Sequence, residues 1–216
     1  MKKVAVILSG SGVFDGSEIN EAVLTLLHLA KAGASYQCFA PDAEQPHVMN
    51  HLTGEIAPES RNMLVEAARI ARGEVKSLAE LDATQFDALI VPGGFGAAKN
   101  LCNFADKGAE CELMPVVRDA CEAFKQLGKP AGYMCIAPVL VPLVYGAGVQ
   151  LTIGNDEGTA TAITAMGGVH VECTVDNIVV DEQHKVVTTP AYMLAQSLAE
   201  AEQGISKLVQ EVLTMA

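Results

Sequence analysis

One cysteine stands apart by its surroundings. Cys135 lies in Gly132-Tyr133-Met134-Cys135-Ile136-Ala137-Pro138, between a short apolar run and a second apolar segment. A nucleophile on a sharp strand-to-helix turn projects its side chain into a crevice. It also sits at a helix N-terminus, where the dipole and the free N–H groups favour an anion. Pro138 suits the first turn of such a helix, because its missing N–H costs nothing there. A free thiol has a pKa of about 8.5, and such an elbow lowers it by ~1–5 pH units, so a thiolate is expected at Cys135. The competing reading is a small buried hydrophobe, the ordinary fate of a cysteine. That reading is kept for Cys38, Cys102, Cys111, Cys121 and Cys173.

Two further features belong to the same chemistry. Pro92-Gly93-Gly94-Phe95-Gly96 follows an apolar run, and glycines let backbone N–H groups approach a ligand closely. Beside Cys135, the amides of Gly94 and Ile136 would form an oxyanion hole. Alone, the glycines are equally a structural turn, and they lack the pattern of a P-loop. Glu18 closes the loop Gly10-Ser11-Gly12-Val13-Phe14-Asp15-Gly16-Ser17. A carboxyl beside a thiolate has its pKa raised, stays protonated and donates to sulfur, so it could act as general acid and base. The competing reading is an acid favoured by the dipole in a first helical turn, and Asp15 is a second acid in the same loop.

The elements that must position these residues alternate. Lys3–Leu8 reads as a strand buried on both faces. Ile19, Ala22, Val23, Leu26, Leu27 and Ala30 recur at helical spacing, with Ser17 as N-cap and Gly33 as the stop. Strands are expected at 35–40, 87–91, 131–134 and 149–153, and helices at 61–72, 113–127, 137–144 and 158–166. A small hairpin is expected from 178–180 and 185–188. A long helix over 191–215 has Gly204 as its weak point. Strands separated by long helices make a mainly parallel sheet with helices on both faces, a flavodoxin-like α/β sandwich. Ligands of such sheets bind outside the carboxyl ends of the strands. The loops after the first strand, at Gly93 and at Cys135 all fall on that edge.

Composition narrows the class. The chain has 216 residues, half of them hydrophobic, with a net charge of −12. It reads as one domain, 1–216, able to bury a full core. Its acidity and its lack of tryptophan make nucleic acid and anionic membranes poor partners. No segment reaches the roughly 18 apolar residues of a membrane span. Six cysteines without dense spacing point to free thiols in a reducing cytoplasm. His47, His51 and Glu55 have helical metal-ligand spacing, but Pro46 and Gly54 oppose a helix through them, so no metal is expected. Gly10-x-Gly12 lacks the third glycine of a dinucleotide fingerprint, where Asp15 stands.

The strings Pro92-Gly93-Gly94-Phe95-Gly96-Ala97-Ala98-Lys99-Asn100 and Gly132–Pro138 resemble the class I glutamine-amidotransferase-like superfamily. The branch they resemble is the PfpI and parkinsonism-associated deglycase branch, including its bacterial glyoxalases. The likeness runs along the whole chain, through Thr152-Ile153-Gly154 and Thr188-Thr189-Pro190-Ala191-Tyr192-Met193-Leu194. It implies a flavodoxin-like homodimer without a cofactor, a nucleophile at Cys135, the acid at Glu18, and an oxyanion region at Gly93, Gly94 and Ile136. One departure matters. Hydrolytic and amidotransferase relatives often carry a histidine directly after the cysteine, and Ile136 stands there. Without that base, amide cleavage is disfavoured. Addition of a thiolate to an aldehyde expels no leaving group. The expected activity is therefore a glutathione-independent glyoxalase, taking the small dicarbonyl glyoxal to glycolate, with deglycation of amine adducts as the same chemistry. The rival readings are a cysteine redox sensor or protein-binding module and a hydrolase or amidotransferase-like subunit borrowing His170.

Overall fold

The apolar run at the N-terminus becomes a strand because both of its faces are covered. In the computed structural model, which describes all residues from Met1 to Ala216, Val4, Val6 and Leu8 enter one core and Ala5 and Ile7 the other. Alternate residues of a strand point to opposite faces, so two helical layers are needed to bury this one.

Seven strands form the central sheet: β1 (Lys3–Ile7), β2 (Ser35–Ala40), β3 (Val75–Ser77), β4 (Ala88–Val91), β5 (Ala131–Met134), β6 (Val179–Asp181) and β7 (Val186–Thr189). Their order is β6-β7-β5-β4-β1-β2-β3. All neighbours are parallel except the hairpin of β6 and β7. Eight helices accompany them: α1 (Ile19–Lys31), α2 (Met63–Ile70), α3 (Phe95–Lys99), α4 (Phe104–Lys107), α5 (Pro115–Gln126), α6 (Val141–Tyr145), α7 (Glu157–Ala165) and α8 (Leu198–Met215). One core is closed by α1, α2 and α8 through Ala22, Leu29, Ala67, Ile205 and Leu208. The other is closed by α5, α6 and α7 through Val117, Phe124, Val144 and Ile163. This is the flavodoxin-like sandwich expected from the alternation of elements.

The chain runs outward from β1 to β2 and β3, then returns to β4 on the other side of β1. The strand order therefore switches direction between β1 and β4. Loops leaving the carboxyl ends of strands on either side of such a point diverge and leave a crevice. The loop after β1, the Gly93-Gly94 turn after β4 and Cys135 after β5 all lie there.

Several boundaries differ from the sequence reading, each for a local reason. The cap of α1 is Glu18, whose carboxylate accepts from the Glu21 N–H, while the Ser17 hydroxyl is taken by the Ser9 N–H at 2.8 Å. The strand expected over 149–153 is only Gln150–Leu151, paired with Val169–His170 outside the central sheet. The C-terminal helix starts at Leu198, after a separate turn at Ala191–Met193. Gly204 is not a weak point of α8: a Cβ there would meet the Thr189 hydroxyl and come within 2.6 Å of the Val175 carbonyl. The glycine lets the helix approach β7. His47, His51 and Glu55 do not share a helix, because Met49–Asn50 and Glu55–Ile56 pair as a hairpin around a turn.

That hairpin is tied to the loop after β1. The buried Asp15 carboxylate accepts from the Met49 N–H at 2.7 Å. His51 stacks on Phe14 with ring centroids 4.9 Å apart, and its Nε2 accepts from the Phe14 N–H. Asn100, just beyond α3, holds the same loop from below. Its buried amide donates to the Ser9 carbonyl at 2.7 Å and to the Asp15 carbonyl at 2.8 Å. Replacing Asn100 by alanine leaves both carbonyls without that donor and is expected to cost about 2–4 kcal/mol. A stability loss by urea denaturation of less than a third of that amount would show that the loop is held by other means.

Candidate active site

β5 ends at Met134, and the chain reverses sharply through Cys135 into a turn of 3-10 helix at Ala137–Leu140 that leads to α6. Cys135 takes φ 61°, left-handed backbone that few non-glycine residues adopt. Such a conformation costs about 1–3 kcal/mol and persists where surrounding contacts over-determine it. Here the Cys135 N–H donates to the Thr189 carbonyl of β7 at 3.0 Å. The elbow read from the sequence is present, and the residue is only 7% exposed.

The glycines of the neighbouring turn are needed for space. A Cβ on Gly93 would lie 2.5 Å from the Cys135 Cβ and 2.8 Å from Glu21 Oε2. Gly94 has φ 90°, and a Cβ there would meet the backbone of Gly16 and Glu18. The turn therefore sits flush between the thiol and the loop after β1. The N–H groups of Gly94 and Ile136 both reach the Cys135 sulfur. The residues read as an oxyanion region thus surround the thiol.

The carboxyl that meets the thiol is Glu21, one turn inside α1, and not Glu18. Glu18 is spent on capping: its Oε2 accepts from the Glu21 N–H at 2.7 Å, and its own N–H donates to the Gly93 carbonyl at 3.0 Å. Glu21 is fully buried. Its Oε2 accepts from the Gly93 N–H at 2.9 Å and its Oε1 from the Tyr192 N–H at 3.2 Å. Its remaining hydrogen-bonding direction reaches the Cys135 thiol. The apolar spacing of α1 pointed away from this residue: Ile19, Val23 and Leu27 are exposed, while Glu21 lies on the buried stripe with Leu24, Thr25 and Leu29. An acid buried among such residues is seldom idle.

Burial sets the electrostatics of the pair. Loss of hydration, followed by the nearby charge of Glu18, pushes the Glu21 carboxyl up to about 8, against the pull of the Tyr192 and Gly93 N–H groups. Burial likewise pushes the Cys135 thiol well up, with repulsion from an ionised Glu21 second. The lowered thiol pKa expected from a helix N-terminus is therefore not found. The helical turn after Cys135 is short, and the cost of burying a charge outweighs the two N–H groups. The pair holds its protons at neutral pH, and ionising either member makes ionising the other harder.

This gives a signed dependence of stability on pH. A carboxyl raised from 4.5 to about 8 in the folded state contributes stability that is complete below pH 4.5 and is lost as pH rises through 8. The stability of the wild type minus that of Glu21→Gln is expected to fall by a few kcal/mol between pH 5 and 8.5. Denaturation curves at the two pH values measure it. A difference that stays constant, or grows with pH, contradicts a neutral Glu21 in the fold.

No histidine is among the groups facing Cys135. His170 Nε2 accepts from the Ile153 N–H at 3.3 Å, and His184 faces Asp181 at 2.9 Å. His51 is committed to Phe14. The site is a thiol, a carboxyl and two backbone donors. Such a set can add sulfur to a carbonyl, move protons on the adduct and stabilise an oxyanion.

No family model matches the chain. Curated relatives do. The human glutamine amidotransferase-like class 1 domain-containing protein 3, mitochondrial, is 47% identical over 223 residues, covering 99% of this chain and 83% of its own length. The rat ES1 protein homolog, mitochondrial, is 45% identical over 223 residues, covering 99% and 84%. Among solved structures, an isoprenoid biosynthesis protein with an amidotransferase-like domain from Ehrlichia chaffeensis superposes with a TM-score of 0.94. It is 38% identical, over 100% of this chain and 99% of that one. A glyoxalase III from Candida albicans shares the fold, with a TM-score of 0.67 at 14% identity, over 99% and 97%. The curated names overturn the cytoplasmic expectation, since both relatives are named mitochondrial. Free thiols report a reducing compartment, which does not single out the cytoplasm.

Proposed function

The chain belongs to the glutamine amidotransferase-like class 1 family that includes the ES1 proteins, and from that premise we propose a cofactor-independent glyoxalase converting glyoxal to glycolate. The observation that carries this reading is the buried Cys135–Glu21 pair, flanked by the Gly94 and Ile136 N–H groups and without a histidine. The glyoxalase III of the same fold lends it further support.

The sulfur of Cys135 adds to one carbonyl carbon of glyoxal as its proton passes to the carbonyl oxygen, giving a hemithioacetal. The ionised fraction of Glu21, which a carboxyl near 8 keeps available around neutral pH, takes the hydrogen of that carbon as a proton. The electron pair moves into a carbon–carbon double bond, and the far carbonyl oxygen becomes an enediol oxygen. Glu21 returns the proton to the far carbon while the hydroxyl proton of the first carbon passes to the far oxygen, leaving a hydroxyacetyl thioester on Cys135. Water cleaves the thioester, releasing glycolate and a proton and restoring the thiol. The N–H groups of Gly94 and Ile136 hold the oxyanions, and Gly93 orients Glu21 through its own N–H. The role first given to Glu18 passes to Glu21, because the Glu18 carboxylate is occupied as a helix cap. A carboxyl near 8 exchanges protons readily at neutral pH, which suits a group that must act as both acid and base.

A cysteine only 7% exposed favours a small, flat substrate over a peptide or a bulky sugar adduct. Its upward-shifted pKa counts against the sensor reading, which needs a persistent thiolate. The absence of a facing histidine counts against amide hydrolysis. The homodimer implied by the resemblance is carried in the proposal, and light scattering of the purified chain tests it. For the setting, the relatives' names favour a mitochondrion. The activity is tested by following glyoxal loss and glycolate gain in amine-free buffer without glutathione. Stoichiometric glycolate is expected, and glyoxal loss without glycolate would refute it.

A further inference from the structure

A second pair of thiols lies outside the site. Cys102, two residues beyond Asn100, forms an isolated antiparallel bridge with Leu113, so the chain between them returns on itself. The Met114 N–H donates to the Leu101 carbonyl at 2.9 Å, and the Glu112 N–H to Asn103 Oδ1 at 2.7 Å. This return brings Cys111 beside Cys102, near enough for each thiol to shift the ionisation of the other. The Cys102 thiol also donates to the Ala97 carbonyl of α3 at 3.3 Å. Both residues are buried, yet Cys102 lines a surface cleft of about 310 Å³ whose rim includes Glu44, Lys99, Asn103 and Glu112. The spacing of these two cysteines in the chain gives no signal of this approach, and each reads from sequence as a small buried hydrophobe.

We propose that Cys102 and Cys111 form a dithiol site that hydroperoxides convert reversibly to an intramolecular disulfide. The proposal stands apart from the reading of Cys135. Two thiols in contact cannot both ionise easily, so the proton is shared unequally. Contact with Cys102 holds the Cys111 thiol below the ordinary range, while contact with Cys111 and burial push Cys102 up. Cys111 is the attacking sulfur. Its thiolate takes the distal oxygen of the hydroperoxide, the O–O bond breaks, and the departing oxygen leaves as an alcohol or water once protonated. Cys111 is then a sulfenic acid, oxidised by two electrons. Cys102 attacks that sulfur, the S–O bond breaks, and water leaves with the Cys102 proton. The other buried thiols lack such a neighbour. Burial pushes both Cys38 and Cys121 up to about 12, and neither has a second cysteine beside it.

The site is tested on the full chain carrying Cys135→Ser, with the wild type in parallel, so that oxidation of Cys135 does not obscure the result. Reduced protein is exposed to hydrogen peroxide, quenched, alkylated in denaturant and mapped without reductant. A linked Cys102–Cys111 peptide, lighter by two hydrogens and reopened by dithiothreitol, is expected to form at least about tenfold faster than any oxidation of Cys38 or Cys121. In Cys102→Ser, Cys111 is expected to stop at a sulfenic acid that dimedone traps. The proposal is overturned if Cys102 and Cys111 stay alkylatable while Cys38 or Cys121 oxidises. It is equally overturned if either one pairs with a different cysteine.

Discussion

Cys135→Ser is expected to lower glyoxal turnover by about 10³-fold or more while leaving the fold intact. A serine hydroxyl in the same position keeps the left-handed backbone and the bond from its N–H to the Thr189 carbonyl. It also keeps the hydrogen-bonding reach to Glu21. What it loses is nucleophilicity: a hydroxyl beside a carboxyl of pKa about 8 stays protonated, and sulfur is the intrinsically better attacker. Cys135→Gly separates chemistry from stability. Glycine adopts φ 61° without strain, so this variant is expected to be inactive and yet about as stable as the wild type, or more so. A serine variant with wild-type turnover would remove the covalent step from the mechanism.

Glu21→Gln is expected to lower kcat by about 10²–10⁴-fold, the usual range for a lost general acid and base. The amide also presents a donor where Glu21 accepts from the Gly93 or Tyr192 N–H, so some loss of stability accompanies it. Glu18→Gln is the informative contrast. Its activity is expected to stay within a few-fold of the wild type, with a stability loss of about 1 kcal/mol from a weaker cap. It also removes the negative charge that helps to raise Glu21. The pH profile of its turnover is therefore expected to move to lower pH, since Glu21 ionises more easily without that neighbour. A profile that moves upward, or a Glu18 variant as crippled as the Glu21 one, would return the acid–base role to Glu18.

Much of this frame was legible in the residues. Val4 to Ile7 can only be a strand covered on both sides, and Gly33 stops α1 where expected. The elbow at Cys135 and the tight turn at Gly93-Gly94 follow from a strand that meets glycine or proline at the carboxyl edge. The choice between two acids three residues apart was not legible from loop position alone. It depends on where α1 starts, and a one-residue change of cap, from Ser17 to Glu18, decides which carboxyl caps and which faces the thiol. The direction of the thiol pKa is not legible in sequence, because a helix terminus shows there and the burial that outweighs it does not. Asp15 read as a competing acid, but its partner, the Met49 N–H, lies across a hairpin that no local pattern announces. The approach of Cys111 to Cys102 rests on a long-range return that spacing does not encode.

The central claim is that Cys135 and Glu21 together turn glyoxal into glycolate. The most direct measurement is glycolate formation from carbon-13 glyoxal, followed by NMR without amine or glutathione, for the wild type, Cys135→Ser, Glu21→Gln and Glu18→Gln side by side. The account predicts glycolate from the wild type and from Glu18→Gln, and none above the uncatalysed rate from the other two. Glycolate at wild-type rates from Cys135→Ser or Glu21→Gln, or none from the wild type itself, would contradict it.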